Sequence, residues 1–131
     1  MKRVIAALLV LVLMSTLAGC TEVTRIAVGD PAAIEVEKEG GSFTVKLTDA
    51  EMVKRITDIV EQLPLQQAEA TEDQWSYRIV WLDASGIQIT AITIHGTQIS
   101  WEGQRYTLGL GVDLSKLTDV IETIPGIGET E

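Results

Sequence analysis

Apolar and polar positions recur along this chain with two different periods, and the switches between them mark out its elements. Met52, Val53, Ile56, Ile59, Val60 and Leu63 fall at helical spacing, with Lys54, Arg55, Asp58 and Glu61 on the other side. Thr48 and Glu51 read as a capping box at the start of this helix, and Pro64 stops it. A second helical stripe, Leu114, Leu117, Ile121 and Ile124, follows Asp113 as its expected N-cap. Pro125-Gly126 ends it, and the tail to Glu131 is expected to fray. Ahead of the first helix the period is two. Val23, Ile26 and Val28 predict a first strand that Gly29-Asp30-Pro31 closes. Ile34-Glu35-Val36-Glu37, a turn at Lys38-Glu39-Gly40-Gly41, and Phe43, Val45 and Leu47 predict an N-terminal β-hairpin with one wet face. Gln66 to Gln74 show no period and read as a mobile loop.

From Trp75 the pattern is a β-meander: Trp75 to Leu82, Ile87 to His95, Gln98 to Trp101 and Gln104 to Leu108, with turns at 83–86, 96–97 and 102–103. Residues directly opposite each other point to the same face, so turn lengths assign the faces. With Leu82 opposite Ile87 and Val80 opposite Ile89, one face collects Trp75, Tyr77, Ile79, Trp81, Ile92, Ile94, Ile99, Trp101, Tyr106 and Leu108. So apolar a face needs cover, and the two helical stripes can supply it. The predicted fold is a two-layer α+β domain: an antiparallel meander, two amphipathic helices on one face, and the N-terminal hairpin. The three tryptophans are then core residues and not a carbohydrate platform.

The opposite face has an apolar half, Val80, Leu82, Ile87, Ile89 and Ala91, which the hairpin could cover. Its other half is polar. Arg78, Thr93, His95, Gln98, Ser100 and Arg105 form the candidate binding face, flanked by Ser76 and Thr107. The bland reading is a solvated sheet face; the sharper one is a shallow site where Arg78 and Arg105 offer planar forks of donors to an anionic group.

The first twenty residues have neither period. Lys2 and Arg3 precede an unbroken apolar run from Val4 to Met14, and Ser15 and Thr16 lead to Leu17-Ala18-Gly19-Cys20. The run is shorter than the roughly 20 residues of a spanning helix, and its three-part plan is that of an export leader. Leu17, Ala18, Gly19 and Cys20 match the lipobox, and the chain resembles the small bacterial lipoproteins. That resemblance implies that residues 1–19 are cleaved and that residues 20–131 form one small globular α+β domain. It also implies diacylglycerol on the Cys20 sulfur and a lipid anchor, further acylated, at the extracytoplasmic face of a membrane. Each buried CH₂ contributes about 0.8 kcal/mol, and paired chains hold where one lets go. Thr21 stands where the family's inner-membrane retention signal has Asp, so an outer membrane is a permitted destination. A lone cysteine cannot form an internal disulfide, and acylation gives it a use. Little linker separates Cys20 from the first predicted strand, which puts the domain close to the bilayer.

Charge narrows the partners. The chain has 10 basic and 19 acidic residues; without Lys2 and Arg3 the balance is −11. Such a domain repels phosphate backbones, so nucleic acid is not an expected partner. The expected partners are the membrane, through Cys20, and an envelope protein. One histidine and one cysteine do not make a metal site, and Gly109-Leu110-Gly111 lacks the lysine of a phosphate loop. No serine lies in a recognisable nucleophile setting, so no enzyme and no cofactor are expected. The alternatives are a small anionic-ligand sensor or carrier using the two arginines, and a hydrolase using His95 or a carboxylate pair.

Overall fold

The computed structural model describes residues 23–41, 44–109 and 111–127. The leader, the Leu17-Ala18-Gly19-Cys20 motif, Phe43, Leu110 and the tail 128–131 lie outside the described residues. Strands β1 (Ala33–Lys38) and β2 (Thr44–Leu47) precede helix α1 (Ala50–Glu61). Strands β3 (Leu65–Gln67), β4 (Tyr77–Leu82), β5 (Gln88–His95), β6 (Gln98–Trp101) and β7 (Gln104–Leu108) follow, then helix α2 (Ser115–Glu122). The protein is α+β: the seven strands among the described residues form one antiparallel sheet in the order β2-β1-β4-β5-β6-β7-β3.

Both helices form where the apolar stripe predicts them. Val53, Ile56 and Val60 of α1 are buried, as are Leu114, Leu117, Ile121 and Ile124 on and around α2. They share one core with Ile34, Val36, Ile79, Trp81, Ile92, Ile94 and Ile99 from the sheet. The caps differ from the expected ones. At α1 the cap is Asp49, whose carboxylate accepts from the Glu51 amide at 3.4 Å, and not Thr48. At α2 Leu114 holds the cap position, one residue after Asp113. The Asp113 carboxylate nevertheless accepts from the Ser115 amide (3.0 Å) and hydroxyl (2.6 Å), and the bonds from Ser115 lower its pKa.

The register of β4 on β5 slides by two residues from the expected one. Val80 pairs with Ala91 and Ile79 with Ile92, and a bulge lies between Trp81 and Leu82. The cause is Asp83. Its side chain accepts from the amides of Ser85 (2.8 Å) and Ile87 (3.0 Å), while its own amide donates to the Ile87 carbonyl. Ile87 is thereby drawn into a five-residue loop, Asp83 to Ile87, and is left 66% exposed. From Tyr77 to Trp81 the slide of two keeps the side chains on their expected faces, whereas a slide of one would have reversed them. At the β6–β7 turn both Glu102 (φ 51°) and Gly103 (φ 75°) are left-handed, the requirement of a two-residue type I′ hairpin.

Four other expectations need correction. Gln66 and Gln67 are not loop: with Leu65 they form β3, which pairs with β7, Leu65 opposite Leu108. The N-terminal segment is not a full strand, since only Thr24 bridges to Leu65, although Ile26 and Val28 are buried. Strand β1 does not cover the apolar half of the polar face. It lies beside β4, Val36 opposite Ile79, so that Ile89 remains 39% exposed. Trp75 lies before β4, half-buried, and is stacked under the Arg78 guanidinium 4.3 Å from its ring centre. Trp81 is fully buried, and Trp101 packs against the core with Tyr106.

Two polar ties join helices to sheet. The Trp81 indole N–H donates to the Thr57 hydroxyl at 3.0 Å, and that hydroxyl donates to the Val53 carbonyl at 2.6 Å. At the other helix, Glu122 accepts from the Tyr77 hydroxyl and, at 2.9 Å, from Lys38. Burial, reinforced by the bond to the Glu122 carboxylate and its charge, pushes the Tyr77 phenol from 10.0 up to about 12. The bonds from Tyr77 and then Lys38 hold Glu122 below its ordinary value.

Thr57→Val removes the acceptor and strands a buried indole N–H, a loss expected to cost about 1–3 kcal/mol. Thr57→Ser keeps the hydroxyl and should stay close to the parent; equilibrium urea unfolding of the three proteins measures it. Because folding raises the Tyr77 pKa, its contribution to stability is complete below the free value of 10.0 and is lost as pH rises towards about 12. Glu122 behaves oppositely: its contribution is present above the ordinary carboxylate range and lost as pH falls. Ultraviolet titration should find one phenol ionising near pH 12, and Glu122→Gln should bring it down towards 10.0.

Candidate binding face

Strand pairing brings the six candidate residues onto one face. Arg78 pairs with Thr93, Thr93 with Ser100, and Ser100 with Arg105, one row across four strands that Glu37 extends onto β1. His95 pairs with Gln98 in the next row. The two ends of this face have different surroundings.

At the Arg105 end, segment 68–74 folds back over the ends of β5, β6 and β7, and side chains of the face hold its backbone. Gln98 Nε2 donates to the Glu69 carbonyl at 2.9 Å, and its Oε1 accepts from the Thr71 amide at 3.0 Å. Arg105 donates to the Glu72 carbonyl, to Gln98 Oε1 at 3.2 Å and, through Nε, to Ser100 Oγ at 3.1 Å. The Glu72 carboxylate accepts from the Thr97 amide at 3.2 Å, close over Gly96. Gly96 is left-handed at φ 61°, and a Cβ there would clash with the Glu72 carboxylate. The backbone conformation favours glycine, whereas the flexible end of the Glu72 side chain could move aside. Gln98 is 2% exposed and His95 8%, so both are committed inside the fold.

His95 continues the chain of bonds. Its Nδ1 lies 3.2 Å from the Asp73 carbonyl, which can only accept, so Nδ1 carries the proton. In the neutral ring Nε2 then accepts from the Ser100 hydroxyl at 3.1 Å, while Arg105 fills the other side of that oxygen. Hydroxyl, imidazole and orienting acceptor stand in the order used by serine nucleophiles. However, the cleft beside them, walled by Lys38, Glu72, Asp73, Trp75, Tyr77 and Gly96, does not include Ser100. What the bonds accomplish in this structure is to close a loop. The residue pattern places these side chains together but leaves segment 66–74 unattached, because backbone acceptors carry no residue-type signal.

The Arg78 end is open. Arg78 is exposed, lies on the Trp75 ring, and approaches the Glu37 carboxylate at 3.8 Å. Its exposed pair carries little energy, but the ring under the guanidinium fixes its position. Arg78 and Arg105 therefore do not act as one fork: Arg105 is bound to the loop and Arg78 faces outward. Among the described residues, no group of three or more His, Cys, Asp and Glu side chains could hold a metal ion. No helix among them is long and apolar enough to cross a membrane.

Compared with family models, curated proteins and solved structures, the chain matches none.

Gln98→Ala removes both bonds from the buried amide to the loop. Hydrogen exchange at the Thr71 amide should then rise roughly tenfold, as expected for about 1–1.5 kcal/mol of lost protection. Arg78→Ala should leave that amide unchanged. Equal acceleration in both variants would mean that the loop is not held by Gln98.

Proposed function

We propose that this protein is an extracytoplasmic lipoprotein, tied to its membrane through Cys20, whose domain is a protein-interaction module. The observation that carries the reading is the placement of the only cysteine in the chain, directly behind a basic start, an apolar run and Leu17-Ala18-Gly19. Chemistry favours it too: a lone exported thiol is a liability unless capped. In the proposed architecture the sheet and the helices make two layers, and the N-terminal hairpin β1–β2 extends the meander in the same plane. The second face of the sheet is then left for a partner. It combines Arg78 on Trp75 with Val80, Ala91, Thr93 and the exposed Ile89, a positioned cation beside modest apolar area. The commitment of Arg105 and His95 to segment 68–74 weighs against the ligand-carrier and hydrolase readings.

Cys20→Ser is expected to move the protein from the membrane fraction to the soluble extracytoplasmic fraction; a membrane-bound, uncleaved product would mean that the apolar run itself holds it. A photocrosslinking residue at Thr93 should trap a defined envelope protein in living cells, and Arg78→Glu should reduce that adduct several-fold. The same crosslinker at Lys54 on α1 should not trap it. An identical adduct from both positions would remove the assignment to the sheet face.

A further inference from the structure

We infer that the anchored domain stands on the membrane by its β3 edge, with lipid headgroups against Val23, Arg25, Gln62 and Gln66. This rests on the lipidation of Cys20 proposed above and adds a direction to it.

The first argument is reach. Among the described residues Thr24 is the first fixed to the sheet: its amide donates to the Leu65 carbonyl at 2.7 Å, and its carbonyl accepts from the Leu65 amide at 2.9 Å. Arg25 follows, donating to the Gln62 carbonyl at the end of α1 at 2.8 Å. Thr24 lies four residues along the chain from Cys20, and fully extended they span at most about 14 Å. The β3 edge cannot leave the headgroup region by more than that. The β2 edge lies six strand spacings away, about 29 Å at ~4.8 Å each.

Reach alone would also allow the domain to lie on its helices or on its open sheet face. The edge differs from both in having no acid of its own. The helical side carries Glu51, Asp58, Asp119 and Glu122 among Lys54, Arg55 and Lys116, and the open sheet face carries Glu35 and Glu37 among Lys46, Arg78 and Arg105. Residues 23–28 and 62–68, which meet at the β3 edge, contain no acidic residue in a chain that has 19. Their one charge is Arg25. The acids that flank them in sequence are Glu22, Glu61 and Glu69, and Glu61 is turned inward to accept from the Val28 amide at 2.8 Å. Val23, Arg25, Gln62 and Gln66 are all exposed there, Val23 at 42%. An anionic headgroup layer does not repel such a neutral to basic edge, and reach makes it the part of the sheet nearest the anchor.

The test uses the full-length chain, expressed and processed in a bacterium and reconstituted into phosphatidylcholine–phosphatidylglycerol vesicles. Single cysteines introduced as Gln66→Cys, Lys46→Cys, Lys54→Cys and Thr93→Cys carry an environment-sensitive fluorophore, with a nitroxide on the lipid headgroup as quencher. Quenching at position 66 is expected to exceed that at position 46 several-fold, with positions 54 and 93 in between. The mass of the Cys20 peptide is read on the same samples. A lipidated Cys20 with equal quenching everywhere, or with the maximum at position 54 or 93, would overturn the orientation alone. An unmodified Cys20 would overturn the anchor and the orientation with it.

Discussion

Trp81 can be buried at the centre of the sheet only if its indole N–H finds an acceptor, because a stranded donor in the core costs about as much as a well-packed side chain contributes. The acceptor is Thr57, on the inner side of α1 among Val53, Ile56 and Val60. That bond sets the rotation of α1 about its axis more narrowly than apolar contacts can, since burial has no direction and a hydrogen bond does. With α1 so placed, its stripe and that of α2 meet the inner residues of β1, β4, β5 and β6 as one core. Trp101 repeats the arrangement near the edge of that core, donating to the Thr90 hydroxyl at 2.9 Å. Large aromatic area and a satisfied donor are obtained together at both positions.

Much of this is legible in the residues. Both helices announce themselves through a period of 3.6, and the four strands of the meander through glycine-marked turns. The faces come out correctly for a less obvious reason. The expected β4–β5 register is wrong, but by two residues, and parity survives an even slip. What is illegible has few residues or no pattern. Strand β3 has a single buried side chain in three residues, Leu65, and so shows no alternation. The position of β1 beside β4 is a long-range choice that local pattern does not encode. Thr48 loses the cap of α1 to Asp49, the next residue and an equally good capping type.

The polar face shows where reading by residue type stops. Arginine, histidine, glutamine and serine gathered on one side of a sheet look like recognition, and the row from Arg78 to Arg105 is indeed contiguous. Yet Gln98, Arg105 and His95 direct their donors to carbonyls of Glu69, Glu72 and Asp73. A loop without helix or strand must satisfy its backbone somehow, and side chains from the sheet are the available partners. Binding chemistry and loop closure draw on the same residue types; only the position of the acceptors tells them apart. Arg78, resting on Trp75, is the member left facing outward.

The bridge between Thr24 and Leu65 also decides how the molecule bears load. Tension entering from the N-terminal side meets two backbone bonds at Thr24, then the Arg25 contact to Gln62, and only afterwards the buried Ile26 and Val28. These ties sit at the rim of the sheet and can break in succession, while the strand pairs of the meander and the Trp81–Thr57 bond lie behind them. Under such a load the segment would act as a mechanical fuse. A pull of a few residues' length would be absorbed by letting out chain at the rim, and the core would remain folded.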